Sequence, residues 1–124
     1  MDKNEFLIKF IKFSGWLEII FGIIFLFVDP FMQILGIPNF SFWNWFAGVT
    51  LFYMGVLLLY SGKDLEKFKI IPIVSSIFRF TMVVASMITA IIEPRFMFMV
   101  FISIYDFGSA LLTLILIKQC GYLK

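Results

Sequence analysis

Long apolar runs alternate with short polar stretches along the whole chain. Four runs are dominated by apolar residues and cover positions 10–28, 42–61, 70–92 and 96–117. A helix of about 20 such residues, rising 1.5 Å per residue, crosses the roughly 30 Å hydrocarbon core of a bilayer. The pattern therefore predicts an all-α fold: a polytopic membrane protein with an up-down-up-down bundle of four transmembrane helices. Residues 1–124 would form a single domain.

The connections between the runs predict short turns and one longer excursion. The segment 29–41 contains Pro30, Gly36 and Pro38, and its apolar part, 31–37, is too short to span a membrane. We expect that part to lie in the membrane interface. Glu93-Pro94-Arg95 predicts a tight turn between the last two helices. Aromatic residues open the second run as an interfacial belt; they are Phe40, Phe42, Trp43 and Trp45.

Basic residues are divided unevenly between the two ends of the predicted helices. One end holds all the lysines, which are Lys3, Lys9, Lys12, Lys63, Lys67, Lys69, Lys118 and Lys124. The other end has Arg95 alone. Cytoplasmic segments carry an excess of lysine and arginine. The bias predicts a multi-pass protein of the cell (inner) membrane with both termini in the cytoplasm.

Composition narrows the functional classes. The chain is 62% hydrophobic and 15% charged, where soluble domains carry about a quarter charged residues. A net charge of +2, spread over isolated residues, gives no basic face for nucleic acid. Cys120 is the only cysteine and histidine is absent, so we expect no metal, no cofactor and no internal disulfide. Without a recognisable catalytic set, we expect a non-enzymatic protein.

Three ionisable side chains interrupt the apolar runs near their middle: Glu18, Arg79 and Asp106. Counting residues along the predicted helices places Glu18 and Arg79 about 12 and 13 Å from the lysine-rich ends of their helices, and Asp106 about 15 Å from the opposite end of its helix. All three depths lie close to the membrane midplane. One charge at that depth costs about 2.5 to 3.5 kcal/mol on insertion scales, and three unpaired charges would cost on the order of 8 to 10 kcal/mol. We therefore expect the three side chains to meet.

Small and hydroxylated residues accompany these charges at helical spacing and favour close helix packing. They are Ser14, Gly15, Gly22, Ser75, Ser76, Ser86, Ser103, Ser109, Ala110 and Thr113. The second run has no charge, but Tyr53 lies at a similar depth. Its hydroxyl is a candidate donor to the carboxylate that Arg79 does not satisfy. A backbone carbonyl is the alternative acceptor for that hydroxyl.

Two carboxylates and one guanidinium leave one negative charge without a cation. One interpretation is a buried ionic clamp that fixes helix packing in a structural or accessory protein. A second is a binding site for a lipid, a small apolar molecule or an ion. A third is proton- or cation-linked transport of a small molecule by a homodimer. The sequence leaves these open, together with an oligomeric or membrane-complex partner beyond the lipid bilayer itself.

Two local motifs carry a family resemblance. The second run reads Gly48-Val-Thr-Leu-Phe-Tyr-Met-Gly55, and the fourth contains Asp106-Phe-Gly-Ser-Ala. With four predicted helices in a short chain, they resemble the DoxX-like group of small bacterial and archaeal membrane proteins. That resemblance implies the architecture, and for some members an association with respiratory or redox complexes. The length and the Glu18 position also resemble small multidrug resistance exporters, although Arg79 and Asp106 depart from that pattern.

Overall fold

The computed structural model describes residues 2–37 and 41–123, and these residues form an all-helical protein without strands. Pro38, Phe40 and Lys124, which entered the predictions above, lie outside the described residues. The helices are α1 (Lys3–Leu26), α2 (Asp29–Ile34), α3 (Ser41–Ser61), α4 (Leu65–Phe68), α5 (Ile70–Ile92) and α6 (Met99–Gln119). A short 3-10 turn, Pro94–Phe96, joins α5 to α6.

Three of the helices, α3, α5 and α6, are long and apolar enough to cross a membrane. The chain is therefore a small membrane protein. α5 has the predicted bounds, whereas α6 begins three residues later than expected because the end of the 3-10 turn and a turn at residues 97–98 take up the first part of the run. α1 has 24 residues, but it carries Lys9, Lys12 and Glu18 among its apolar side chains and falls outside this set.

α1 and α3 pack together through glycines spaced two turns apart on each helix. Gly15 faces Gly55 and Gly22 faces Gly48, which is the register of an antiparallel pair. A Cβ atom added at Gly22 would lie 2.7 Å from the Gly48 carbonyl oxygen, and one added at Gly48 would lie 2.8 Å from the Gly22 carbonyl oxygen. Side chains are therefore excluded from the contact, and the two backbones approach closely.

α5 and α6 form the second hairpin. Small buried residues, among them Ser86, Ala90 and Ser103, lie on their inner faces and allow close packing. Fewer contacts connect α1 to α6 and α3 to α5, and these close the four long helices into a ring. α1 and α5 lie across this ring from each other.

An apolar cluster fills the end of the ring that holds the chain termini. Its buried members are Leu7, Ile11, Leu58, Leu65, Leu116 and Ile117. Leu65 comes from α4, a single turn capped by the Asp64 side chain, which accepts a hydrogen bond from the Lys67 backbone N–H. Nearby, the Tyr122 hydroxyl donates to the Asn4 side-chain oxygen, so the segment after α6 contacts the first turn of α1. This end of the protein is closed by packed side chains.

The opposite end is loosely covered by α2, which has no buried residue. The Asn44 side-chain amide donates to Asp29, which ties the start of α2 to the first turn of α3. Arg95 makes two hydrogen bonds to Glu93 and donates to the Gly36 backbone carbonyl at 3.2 Å. Gly36 has a φ of 63°, a conformation that glycine adopts without steric cost. The Arg95–Gly36 hydrogen bond connects the two hairpins at their outer ends.

Candidate functional site

An ion pair between Glu18 of α1 and Arg79 of α5 lies inside the ring of helices. The Arg79 Nε–H donates to Glu18 Oε1 at 2.8 Å, and the Nη2–H donates to the same oxygen. Glu18 is 7% exposed and Arg79 is 5% exposed. α1 and α5 lie across the ring from each other, and the long Arg79 side chain reaches Glu18 through the space between them. Two of the three charges that the sequence places near the membrane midplane are thus brought together in this pair.

Ser109 of α6 completes the arginine's contacts on the third helix. The Arg79 Nη1–H donates to Ser109 Oγ at 2.7 Å, and the Ser109 hydroxyl in turn donates to the Asp106 backbone carbonyl. Hydroxyl-to-carbonyl bonds within one turn are common for serine in helices, and this one orients Ser109 as an acceptor for the guanidinium. Arg79 therefore connects α1, α5 and α6 through hydrogen bonds from a single side chain.

Asp106 interacts with the Arg79 charge but does not pair with it. Within residues 2–37 and 41–123, the Asp106 carboxylate makes neither a hydrogen bond nor an ion-pair contact, and Arg79 pairs with Glu18. Asp106 lies three residues from both Ser103 and Ser109, which are buried, so it faces the same side of α6. It is nevertheless only partly buried. Part of its side-chain surface therefore remains exposed.

Tyr53 lies outside this buried site. It is 64% exposed, and its ring packs edge-on against Phe52 on the outer surface of α3. The glycines of α3 explain this placement, because Gly48 and Gly55 turn one face of the helix toward α1. Tyr53 is two residues from Gly55, a rotation of about 200°, and so it points away from the ring. The sequence-based placement of Tyr53 in the buried network is corrected accordingly.

Tyr105 of α6 is the tyrosine that reaches the interior. Its hydroxyl lies close to the Ser14 hydroxyl and within the electrostatic field of Arg79. Sequence analysis did not single it out, although its position four residues before Ser109 was an available signal. Tyr105 Oη and Ser14 Oγ lie near each other and Glu18 Oε2 lies near Ser75, but none of these three buried oxygens makes a hydrogen bond of good geometry. Unpaired buried polar atoms are rare in proteins, and three occur around this one arginine.

A small cavity adjoins the ion pair on the side of the apolar cluster. It offers space for about a single water molecule. Polar residues from three helices line most of it: Ser14, Ser75, Ser76, Arg79 and Thr113. Ser76 and Thr113 already donate to backbone carbonyls in their own helices, at Pro72 and Ser109. Ser14 has no such bond, and its hydroxyl lies beside both the cavity and the Tyr105 hydroxyl.

The chemistry of this centre is ionic and hydrogen-bonding. Among the described residues no group of three or more histidine, cysteine, aspartate or glutamate side chains could hold a metal ion. A guanidinium, two carboxylates and several hydroxyls can hold water, exchange protons or bind a small polar or charged group. Comparison with known proteins adds no relative: no family model, no curated protein and no solved structure matches the chain.

Proposed function

We propose that the chain is a four-span, non-enzymatic protein of the cell membrane, in which a buried ionic clamp joins two helical hairpins and serves a structural or accessory role. The supporting observation is the occlusion of the Glu18–Arg79 pair. Both side chains are buried, and the apolar cluster closes the end nearest the termini. A clamp needs closed surroundings, because a low local dielectric strengthens the attraction between its charges.

α1 is the fourth span in this proposal. Its central charge, Glu18, is neutralised by Arg79. Lys9 and Lys12 lie near the start of the helix, where lysine side chains extend toward the headgroups. The glycine contacts also hold α1 along α3, which is apolar enough to cross a membrane. With the lysine bias, these features favour termini in the cytoplasm. The DoxX-like relationship is a proposal that rests on the two sequence motifs.

A double-mutant cycle tests the clamp. Arg79→Leu leaves Glu18 buried without its cation, and removal of one partner of a buried pair costs about 3 to 5 kcal/mol. We expect Arg79→Leu with Glu18→Leu to recover much of that loss, since neither charge then remains. Arg79→Leu with Asp106→Asn is the matched control and should recover less, because Asp106 makes no ion-pair contact with Arg79. Thermal unfolding in detergent measures each variant against the unmodified protein.

The cycle can reject the clamp. If the losses for Arg79 and Glu18 simply add, the two charges do not act together, and the structural role of the pair is wrong. A recovery that is larger with Asp106→Asn than with Glu18→Leu would assign the partnership to the other carboxylate. The Arg79→Leu, Glu18→Leu and Asp106→Asn single variants complete the comparison and reveal any cost of the substitutions themselves.

A second candidate function is proton- or cation-linked transport by a homodimer. It is favoured by the unpaired atoms of Ser14, Glu18 and Tyr105 and by the water-sized cavity beside them. Transport would require the apolar cluster to open toward the cytoplasm. Proteoliposomes holding a pH-sensitive dye test this function: Glu18→Gln should abolish a proton flux that the unmodified protein supports. The absence of flux in the unmodified protein would reject proton-linked transport.

A further inference from the structure

The water-sized cavity beside the ion pair is lined mainly by buried polar side chains. All eight of its lining residues are buried, and five of them are polar. Cavities lined by apolar side chains stay dry, whereas a buried water molecule occupies a polar site in which it makes two to four hydrogen bonds. The lining therefore favours hydration, provided that its donors and acceptors match those of a water molecule.

Ser14 and Arg79 line the cavity and supply hydrogen-bond donors. Ser14 is 3% exposed, and its hydroxyl makes no hydrogen bond of good geometry within the described part of the chain. Three of the five N–H groups of Arg79 donate to Glu18 and Ser109, which leaves two for other acceptors. One hydroxyl on α1 and the guanidinium on α5 can therefore donate to a molecule in the cavity.

Ser76 and Thr113, which also line the cavity, supply acceptors. Each hydroxyl already donates its hydrogen to a backbone carbonyl one turn earlier in its own helix. Their oxygens retain lone pairs and can only accept further bonds. A water molecule in the cavity can thus accept from Ser14 and Arg79 and donate to these two hydroxyls, which uses all four of its hydrogen-bonding positions.

The same water molecule accounts for the close approach of the Ser14 and Tyr105 hydroxyls. When the Ser14 hydrogen is directed to the water, Ser14 Oγ becomes an acceptor for the Tyr105 hydroxyl beside it. The Ser75 hydroxyl lies near Glu18 Oε2 and can donate to it. Each of the three buried oxygens that lack a bond of good geometry then has a partner.

We propose that the cavity binds one structural water molecule, which joins α1, α5 and α6 through hydrogen bonds with Ser14, Arg79 and Thr113. The inference rests on the proposed function in one respect, because it makes the water part of the polar network around the ionic clamp. An ion fits this site less well. The guanidinium repels a cation, and Glu18 already neutralises the guanidinium, so that an anion has no charge left to balance.

A crystal structure of the full chain in a lipidic mesophase, at a resolution that shows ordered water, tests the proposal. We expect one density peak within about 2.7 to 3.2 Å of Ser14 Oγ and of an Arg79 nitrogen. Crystals soaked in sodium bromide should show no anomalous signal at this peak, because water carries no charge. A cavity without density, or a bromide signal inside it, would overturn the proposal.

Thermal unfolding of Thr113→Val gives a second readout in a variant of nearly unchanged shape. The substitution removes an acceptor of the water, and we expect the melting temperature to fall by a few degrees. Thr89→Val on α5 is the matched control. Its hydroxyl makes the same kind of bond to a backbone carbonyl one turn earlier, at Ala85, but does not line the cavity. Equal shifts for the two variants would overturn the contact with α6 that the proposal requires.

The Arg79–Glu18 cycle separates this inference from the clamp. Coupled losses in the cycle together with a cavity that lacks density would reject the structural water alone. Additive losses together with a water peak at Ser14 would reject the clamp and leave the hydration site.

Discussion

Arg79 illustrates how a single side chain organises the interior. Its guanidinium contacts Glu18 and Ser109 on two different helices while its own backbone belongs to a third. The planar group offers five N–H donors in fixed directions, which lysine cannot reproduce. An arginine at this position therefore sets both the distance and the rotation of its neighbours, beyond supplying a positive charge.

Ser109→Ala tests the contribution of the arginine's second contact. The substitution removes the acceptor of the Arg79 Nη1–H, and we expect a loss of about 1.5 to 3 kcal/mol because the bond involves a charged group. Ser103→Ala is the matched control on the same helix. Its hydroxyl donates to the Met99 backbone carbonyl within the helix, so its removal should cost less than about 0.5 kcal/mol. Equal losses for both variants in thermal unfolding would contradict the assigned role of Ser109.

Sequence reasoning anticipates the meeting of Glu18 and Arg79 because the cost of isolated charges in a membrane depends only on depth and chemistry. It could not choose between Glu18 and Asp106 as the partner of Arg79. That choice depends on the rotation of each helix, which neighbouring side chains set. Tyr53 shows the same limitation: its depth was suitable, but the glycines on α3 turn it toward the outside.

At the scale of helices, the glycines of α1 and α3 allow these two helices to pack closely. Gly22→Ala should be destabilising, because its Cβ would lie 2.7 Å from both the Gly48 carbonyl oxygen and the Phe52 backbone nitrogen. Backbone atoms cannot move aside as a flexible side chain does. We expect a loss of about 1 to 3 kcal/mol, the usual cost of overpacking.

Gly108→Ala provides the control for that substitution. A Cβ at Gly108 meets no atom within 4 Å, and alanine is a better helix former by about 0.8 to 1.0 kcal/mol. This variant should therefore be unchanged or more stable in thermal unfolding. If Gly22→Ala were as stable as Gly108→Ala, the close contact of α1 with α3 would not exist in the folded protein.

The hydrogen bonds between Glu93 and Arg95 in the outer turn contribute folding stability that is lost in acid. Hydrogen bonds from Arg95 lower the pKa of Glu93 below its ordinary value of 4.5, so the folded state favours the ionised form. This contribution is present above that ordinary pKa and is lost as the pH falls through the lower folded value. Melting temperatures measured from pH 7 downward should fall less steeply in Glu93→Gln. An identical acid profile in the variant would exclude Glu93 as a source of the effect.

Asp29 is a second carboxylate at the outer end whose pKa is lowered by hydrogen bonds. Its pKa is lowered by hydrogen bonds from Ser41 and then Asn44, at the start of α3. The bounds of α3, α5 and α6 could be predicted to within three residues from apolar run lengths and breakers, whereas α1 begins at Lys3, well before the predicted apolar run at 10–28. The hydrogen bonds between α2, α3 and the outer turn could not be predicted, because they join residues distant in the chain.

For the molecule as a whole, the two hairpins differ in how they are held together. The glycine contact makes α1 and α3 a tight pair, whereas α5 and α6 meet through serine and alanine. Between the hairpins, the apolar cluster, the Arg79 contacts and the Arg95 hydrogen bond act at three successive depths.

Orientation is a property of the whole chain, and cysteine labelling decides it in a Cys120→Ser background. Lys3→Cys, Ile34→Cys and Lys63→Cys introduce thiols at exposed positions at the start of α1, in α2 and after α3. We expect an impermeant maleimide to label Ile34→Cys in intact cells and the two lysine variants only after permeabilisation, because the lysine-rich ends belong in the cytoplasm. Labelling of Lys3→Cys and Ile34→Cys from the same side would show that α1 does not cross the membrane. If the two lysine variants were labelled in intact cells and Ile34→Cys were protected, the protein would have the orientation opposite to the one that the lysine bias predicts.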